Sequence, residues 1–382
     1  MKILLLGEYS GFFNSLKEGL TTIGHDVILA GRKDGFKNYS VDISFEPEFS
    51  SKGFPFLLRK AIHKFTKIDM GVWEVFYLFK KASNRLKNFD VVFLINEQPL
   101  TKHYYTEKRI LDFIFKHNKN VFLSACGDDY TYINYLLKND LSHHVLSAYL
   151  KNPKALKTNY SHSLLYTTKN SKKLHEFVIQ HVKGIIPGDY DYVMAYEGLP
   201  KVELLIPFPV RLQLFDYTPP IIDNKIIIFH GINKLNIHKK GNNYFIKALE
   251  LIAKKYKDKV EIITAVSLPY NEYITKYNSC HILLDQANAY DQGYNALEAM
   301  AKGKVVFTGA SKQWQDHYKL QEDTIAVHAV PNEELMAKKL SFLIENPDKI
   351  LEISKNARAF IEQEHDCVKV AEKYINTWEN SN

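Results

Sequence analysis

Short apolar runs that end in glycine or asparagine recur through the first half of the chain and alternate with amphipathic stretches. A continuous apolar run predicts a parallel strand buried on both faces, and the amphipathic stretch after it predicts a helix lying on the sheet. Strand, helix and strand follow one another within residues 2–31, which is a βαβ unit. The predicted strands are Lys2–Gly7, His25–Gly31, Asp90–Asn96, Asn120–Gly127, Gly184–Gly188 and Val202–Phe208, and the predicted helices are Phe12–Ile23 and Thr106–His117.

The same alternation returns after residues 207–223, where four prolines disfavour both helix and central strand. The strands predicted beyond it are Lys225–Gly231, Lys259–Ala265, His281–Gln286 and Lys304–Gly309, and the helices are Tyr244–Tyr256, Asn295–Ala301 and Asn332–Trp378 with a break near Asn346 and Pro347. We therefore expect an N-terminal domain of residues 1–207, a linker of 208–223, a second domain of 224–360 and a final helix of 361–382.

This pattern predicts an α/β protein with two doubly wound, Rossmann-like sheets of similar size. Ligands of open parallel sheets bind at the carboxyl ends of the strands. Because two such domains would face each other, the cleft between them is the expected binding site.

The composition agrees with a folded two-domain protein. The chain has 382 residues, more than one typical core holds, and 46% hydrophobic residues exclude general disorder. Cys126, Cys280 and Cys367 lie far apart without a CxxC pair, which argues against a disulfide scaffold or a zinc ribbon. No secretory signal and no apolar run of about 20 residues is visible, so we expect a soluble cytoplasmic protein.

The net charge of +7 is mild and compatible with several anionic partners. No nucleic-acid-binding motif is present, so we expect no nucleic-acid partner. Residues 51–88 stand out because aromatic residues alternate there with basic ones, namely Lys52, Arg59, Lys60, Lys64, Lys67, Lys80, Lys81, Arg85 and Lys87. The segment could lie on an anionic membrane. It could equally be a helical pair that covers the sheet and turns a solvated charged face outward.

Two runs in the second half carry the strongest chemical signal. In Leu283–Gly309, a strand is followed by a loop with Gly293 and then by a helix with Glu298 in its first turns. The glycine allows close approach of a ligand, the helix N-terminus suits an anion, and Glu298 faces either a ligand hydroxyl or solvent. In Phe229–Tyr256, Lys240 precedes a helix, where a lysine and free N–H groups suit a diphosphate.

In this order and spacing, the two runs resemble the GT-B glycosyltransferases, specifically the family-4-like group also called glycosyl transferases group 1. The matching residues are Gly231, Lys240 with Gly241, Gly293 and the segment LEAMAKGKVVFTG at 297–309, all within about 220–320. The resemblance implies a GT-B fold whose final helix crosses back to the N-terminal domain. It also implies a UDP- or GDP-type sugar donor and no metal or other cofactor.

The resemblance assigns roles residue by residue. Lys240 would neutralise the donor diphosphate, and Glu298 would bind the ribose hydroxyls. The backbone around Gly293 and Tyr294 would face the phosphates or the sugar.

Several positions depart from the family pattern and indicate a divergent subgroup. Tyr290 stands where the family has a sugar-contacting glutamate eight positions before Glu298, and the adjacent Asp291 is the expected substitute. Ile232 replaces the phosphate-binding arginine, for which Lys234 or His238 could serve. The usual Ile-Pro-Asn-Gly hinge reads Ile-Pro-Phe-Pro at 206–209.

The N-terminal domain matches the family only in outline. Asp128 and Asp129 follow a predicted strand and could activate an acceptor hydroxyl as a base, or they could cap the next helix. The loop with Gly7, Tyr9, Ser10 and Gly11 could contact the acceptor, or it could be an ordinary βα turn. The histidines show no metal-binding spacing and no GxSxG is present, so we expect neither a metal site nor a serine hydrolase.

The predicted function is transfer of a sugar from a nucleotide-diphosphate sugar to a hydroxyl of a glycan or lipid-linked acceptor. By analogy with the family, the reaction would retain the anomeric configuration and serve cell-surface polysaccharide synthesis, in the cytoplasm or at the inner face of the membrane. A GT-B nucleotide-sugar epimerase and an inactive nucleotide-sugar- or glycan-binding protein are the alternatives.

Overall fold

The computed structural model describes residues 1–33, 39–66, 69–266 and 270–381, and these residues form two open parallel sheets flanked by helices. The first sheet has the strand order β3-β2-β1-β4-β5-β6. Its strands are β1 (Lys2–Leu6), β2 (Asp26–Gly31), β3 (Ile43–Ser44), β4 (Val91–Leu94), β5 (Val121–Ala125) and β6 (Gly184–Pro187). The helices around it are α1 (Phe12–Thr22), α2 (Gly53–Thr66), α3 (Gly71–Ala82), α4 (Tyr104–His117), α5 (Tyr130–Lys138), α6 (Ser147–Lys151), α7 (Pro153–Leu156), α8 (Ser161–Leu164), α9 (Lys169–His181) and α10 (Tyr190–Tyr196).

The second sheet is also parallel and has the order β11-β10-β9-β7-β8. Its strands are β7 (Ile226–Ile232), β8 (Val260–Val266), β9 (Ile282–Leu284), β10 (Val305–Thr308) and β11 (Val327–His328). The helices around it are α11 (Asn242–Lys255), α12 (Tyr270–Ser279), α13 (Tyr294–Ala301), α14 (Lys312–Tyr318), α15 (Glu333–Glu345), α16 (Pro347–Phe360) and α17 (Cys367–Asn380), with a π-helical turn at Ile361–His365.

The predicted strand Val202–Phe208 is wrong, because only Val202 pairs with the sheet, in a single bridge to Ile185. The segment runs beside β6, where Glu203 donates its N–H to Ile185 and Ile206 donates to Pro187. Pro187 has no N–H to return, so the ladder cannot continue in the regular alternating pattern.

The last helix crosses back to the N-terminal sheet, as predicted. α17 lies against α1, and Tyr374 and Trp378 place their rings 5.1 and 5.5 Å from the ring of Phe93 in β4. The crossing begins where Val210 exchanges backbone hydrogen bonds with the turn before α17, donating to His365 at 2.6 Å and accepting from Cys367 at 3.1 Å. The helix therefore ties the two halves of the chain together.

Candidate functional site

A small cavity lies where the two sheets face each other, and both halves of the chain line it. Its lining residues are Ser10, Gly11, Ser15, Tyr39, Val210, Arg211, Phe215, Tyr294 and Glu298. Ser10 and Gly11 come from the loop after β1, whereas Tyr294 and Glu298 come from α13. Four residues that the sequence singled out in separate domains therefore meet at one place, at the carboxyl ends of the strands.

The loop after β1 is a tight turn in which a buried carboxylate binds the N–H groups at the start of α1. Gly7 and Gly11 have φ of +101° and +87°, and a Cβ at Gly7 would overlap Ile95. The buried carboxylate of Glu8 accepts the N–H groups of Gly11 and Asn14, each at 2.8 Å. Glu8 thus satisfies N–H groups at the N-terminus of α1. The loop lies at the cavity, but a carboxylate of the protein already occupies the end of the helix that would attract an anion.

Tyr9, in the same loop, lies against the loop after β5. A Cβ at Gly127 would lie 3.5 Å from the Tyr9 ring. The two N-terminal loops that the sequence selected, at 7–11 and at 126–129, are therefore neighbours.

Lys240 is held by the carboxylate at the end of β9. Its Nζ lies 2.7 Å from Oδ1 of Asp285, and the amide of Asn295 donates to the same oxygen at 2.8 Å. Asp285 is only 2% exposed, whereas the Lys240 side chain is about a third exposed. Among the described residues, none donates to the other oxygen, Oδ2. The buried carboxylate therefore orients the lysine, and about a third of the lysine side chain remains accessible.

The turn that carries Lys240 also reaches the other half of the chain. Gly241, the residue before α11, has φ of +70°, which a glycine adopts without strain. The adjacent Lys239 places its Nζ 2.9 Å from Oδ2 of Asp128. Lys234 is exposed in the same turn, and Gly231 at the end of β7 lies under the ring of Tyr273.

Asp128 and Asp129 have different surroundings. Burial alone would raise the pKa of Asp128, but His162, Lys239 and Ser163 hold that pKa well below its usual value. Ser163 donates to Oδ2 of Asp128 at 2.5 Å. Asp128 is therefore an ionised carboxylate that faces the second domain.

Asp129 is the N-cap of α5. It accepts the N–H of Tyr132 at 2.7 Å and the hydroxyl of Tyr196 at 2.8 Å. Burial, reinforced by the carboxylate of Glu97, raises the pKa of Asp129 to about 8. The sequence left two interpretations open for this residue, a base and a helix cap, and the structure shows the contact of a helix cap.

Tyr290 and Asp291 lie at the contact between the two halves. The Tyr290 ring stacks on His143, with centroids 4.8 Å apart. The Asp291 carboxylate accepts the N–H of Tyr190 at 2.9 Å, while Asp191 accepts the N–H groups of Tyr290 and Asp291 at 3.0 and 3.2 Å. Burial raises the pKa of Asp191 to about 6 and that of Asp291 to about 7. Tyr290, at the position of the missing glutamate, and Asp291, its expected substitute, are thus both engaged in an interdomain contact.

The start of α13 also contacts the linker. The hydroxyl of Tyr294 donates to the carbonyl of Pro209 at 3.0 Å. Gly293 has an ordinary extended backbone with φ of −90°, and a Cβ there would meet only the end of the Gln286 side chain, at 3.9 Å. The backbone before α13 is therefore not crowded, which leaves room for a ligand to approach it.

Sequence reasoning missed several polar residues of this region. Glu97, which follows β4, is buried, and its Oε1 lies 2.5 Å from Nδ1 of His175. Burial would lower the pKa of His175, but Glu97 raises it. A polar residue directly after a buried strand was the available signal for Glu97 and Asp285. Arg211 gave no signal, because only the fold brings the linker to the cavity.

Among the described residues, no cluster of three or more histidine, cysteine, aspartate or glutamate side chains has the arrangement of a metal site.

The chain is similar to known glycosyltransferases. Residues 233–376 match the family model described as "Glycosyl transferase-like". The comparison with curated proteins found no match. Sucrose-phosphate synthase from Thermosynechococcus elongatus aligns with a TM-score of 0.61 at 13% identity, over 99% of this chain and 98% of that chain.

Two further solved structures align over nearly the whole chain. Anabaena HepE in complex with UDP and glucose has a TM-score of 0.55 at 13% identity, over 100% of both chains. A glycosyltransferase from Rickettsia africae has a TM-score of 0.51 at 15% identity, over 99% of this chain and 97% of that chain. Likeness at this level of identity concerns the fold.

Proposed function

We propose that this protein, which has the GT-B fold of the group 1 glycosyltransferases and matches a glycosyl transferase-like family model over residues 233–376, moves a sugar from a nucleotide-diphosphate sugar to an acceptor hydroxyl. The observation that carries the proposal is the cavity where Glu298 and Tyr294 meet Ser10 and Gly11. Donor and acceptor must both reach one place for transfer, and this cavity is lined from both halves of the chain.

Lys240 neutralises the diphosphate of the donor. About a third of its side chain is accessible and Asp285 orients it from the buried side, so an arriving diphosphate finds the cation already in position. During transfer, negative charge accumulates on the leaving diphosphate, and a preorganised cation stabilises that charge more than it stabilises the bound donor.

Glu298 binds the ribose hydroxyls as a hydrogen-bond acceptor. It lines the cavity from α13, one helical turn after the uncrowded backbone at Gly293. Tyr290 and Asp291, which lie at the domain contact, would approach the donor sugar from that side, and Lys234 is an exposed second cation for the phosphates. We propose UDP as the first nucleotide to test, because Anabaena HepE was solved with UDP and glucose.

On the acceptor side, Asp128 is the stronger candidate for the base that receives the hydroxyl proton, because Asp129 is committed to its helix cap. Asp128 is ionised, and because Lys239, His162 and Ser163 hold its pKa low, it can receive the proton only after these partners release it. We propose a glycan or lipid-linked acceptor in cell-surface polysaccharide synthesis, with retention and without a metal ion.

Calorimetric titration with UDP, GDP and ADP in EDTA tests the donor site. We expect one nucleotide to bind, and Lys240→Ala to weaken that binding about 10- to 100-fold, since a hydrogen bond to a charged group contributes about 1.5–3 kcal/mol. Glu298→Ala should weaken it as well. Lys247→Ala is the matched control, because Lys247 lies on α11 and pairs with Glu333 at the surface.

If a folded wild-type protein binds none of the three nucleotides, or if Lys247→Ala weakens binding as much as Lys240→Ala, the donor assignment is wrong. Transfer then separates the enzyme from its alternatives. An epimerase would interconvert nucleotide sugars without an acceptor, and a binding protein would do neither.

A further inference from the structure

Helix α2 carries an apolar stripe that nothing in the described structure covers. Phe54, Leu57, Leu58, Ala61 and Phe65 follow the spacing that places side chains on one face of a helix. Phe54, Leu57 and Phe65 are between 63% and 83% exposed, and none of residues 53–65 is buried. A stripe of large exposed side chains along one whole helix indicates an interaction surface.

Basic residues flank this stripe. Lys60 and Lys64 come three and seven positions after Leu57, which places them along one edge of the stripe, and both are exposed. Helix α3 adds exposed Trp73 and Tyr77, with Lys80 and Lys81 one turn further on. Lys67, part of the basic segment predicted from the sequence, lies outside the described residues.

Both acidic residues of 51–88 form hydrogen bonds with nearby residues of the same domain. Asp69 holds Arg59 through two hydrogen bonds of 2.5 and 2.8 Å, and Arg59 also contacts the hydroxyl of Ser51. Glu74 accepts the N–H groups of Phe49 and Ser50, each at 2.8 Å. The contacts of Arg59 hold α2 by its polar side. Among the described residues, no carboxylate pairs with Lys60 or Lys64, so these lysines give the stripe a positive rim.

We propose that α2, with the exposed face of α3, docks the protein on an anionic lipid bilayer. An exposed apolar stripe flanked by lysines fits a helix that lies in the membrane interface, with its apolar side chains among the acyl chains and its lysines at the anionic headgroups. Among the described residues, no helix is long and apolar enough to cross a bilayer. The surface would bind vesicles even if the chain transferred no sugar.

Sedimentation of the full chain with vesicles tests the surface. We expect binding to phosphatidylcholine vesicles that contain phosphatidylglycerol and little binding to phosphatidylcholine alone. Lys60→Gln with Lys64→Gln should weaken binding about 25-fold, since each lysine near an anionic surface contributes about fivefold. Leu57→Ser with Phe65→Ser should weaken it at least about tenfold. The matched controls are Lys254→Gln with Lys257→Gln and Leu204→Ser with Ile221→Ser, which alter exposed residues outside α2 and α3.

The fluorescence of Trp73 gives a second measurement of membrane contact, and it does not require a variant that has lost binding. Of the three tryptophans, Trp314 and Trp378 are 2% and 3% exposed, whereas Trp73 is 55% exposed. We expect anionic vesicles to shift the tryptophan emission to shorter wavelength and brominated lipid to quench it. In Trp73→Phe, both effects should disappear while the protein still sediments.

Three results would overturn the proposal. The first is a wild-type protein that does not sediment with anionic vesicles or binds neutral ones equally well. The second is sedimentation of the stripe variants like the wild type. The third is a wild-type dimer that the stripe variants dissociate, which would make a second copy the occupant. Unchanged thermal unfolding midpoints in the variants confirm that a loss of binding is not a loss of fold.

Discussion

At the scale of single residues, Asp285 is the least expected element of the site. It is buried at the end of β9, and one of its oxygens holds both Lys240 and Asn295. The sequence places this residue only within the predicted strand His281–Gln286. Its position gives it two effects, since it fixes the direction of the lysine and ties the loop after β9 to α13.

We expect Asp285→Asn to lower the free energy of unfolding by about 1–3 kcal/mol, because the amide removes the charge from a buried acceptor that serves two donors. The same variant should bind nucleotide more weakly, since Lys240 loses its orientation. Urea unfolding and calorimetric titration measure the two effects. Asp112→Asn is the control, because Asp112 pairs with Lys116 at the surface. This variant should lower the free energy of unfolding by less than about 1 kcal/mol. A stability like that of the wild type would show that Asp285 has no structural part.

At the scale of elements, most strands were predictable because a strand covered on both faces needs a continuous apolar run. The final helix is a different case, since its place depends on a contact that its own sequence does not show. Gly19 in α1 faces the backbone of α17, and a Cβ at that position would overlap the carbonyl of Cys367. The absence of a side chain at Gly19 therefore allows the last helix to lie against the first.

Gly19→Ala should loosen the crossing helix. Forcing a methyl group into this contact costs about 1–3 kcal/mol in overpacking, which exceeds what alanine gains over glycine inside a helix. We expect a lower midpoint in urea and faster proteolysis after residue 360. Thr21→Ala, at an exposed position of the same helix, should leave both unchanged. Slower proteolysis in Gly19→Ala would contradict the close packing.

At the scale of the whole molecule, the two halves are joined by carboxylates as well as by the last helix. Asp128 pairs with Lys239, while Asp191 and Asp291 each accept backbone N–H groups from the opposite half. The pKa values of Asp191 and Asp291 are raised by burial to about 6 and 7, so both protonate more readily in the folded protein than in the unfolded chain. The domain contact is therefore sensitive to pH.

Because the folded pKa of Asp291 is raised from 3.8 to about 7, its contribution to stability is complete below pH 3.8, is lost progressively between pH 3.8 and about 7, and changes little at higher pH. Burial lowers the pKa of His143 and of His328 to about 4, which gives an opposite slope below about pH 6.5, so the carboxyl effect is clearest above it. We expect the thermal midpoint to fall from about pH 6.5, less steeply in Asp291→Asn, and to level off by about pH 8. Asp140→Asn, an exposed control, should keep the wild-type slope. Equal slopes in Asp291→Asn and wild type would contradict this account.

The domain boundaries and the roles of Lys240, Glu298 and the other site residues remain predictions, whereas the fold class and the resemblance to group 1 glycosyltransferases are confirmed. The sequence by itself determined the two parallel sheets and the helix that begins near Glu298, because these depend on periodicity and on motifs within a few residues. It did not determine which groups each polar side chain contacts.

Only the tertiary structure decided that Asp129 caps a helix, that Tyr290 and Asp291 face the first domain, and that Asp285 holds Lys240. It also shows that α2 leaves its apolar stripe exposed, whereas α3 buries Val75 and Phe79, and the membrane contact of 51–88 stays a proposal. The partners in these contacts lie far apart along the chain. Which distant side chain a residue meets is set by the packing of whole elements, and no local pattern contains that information.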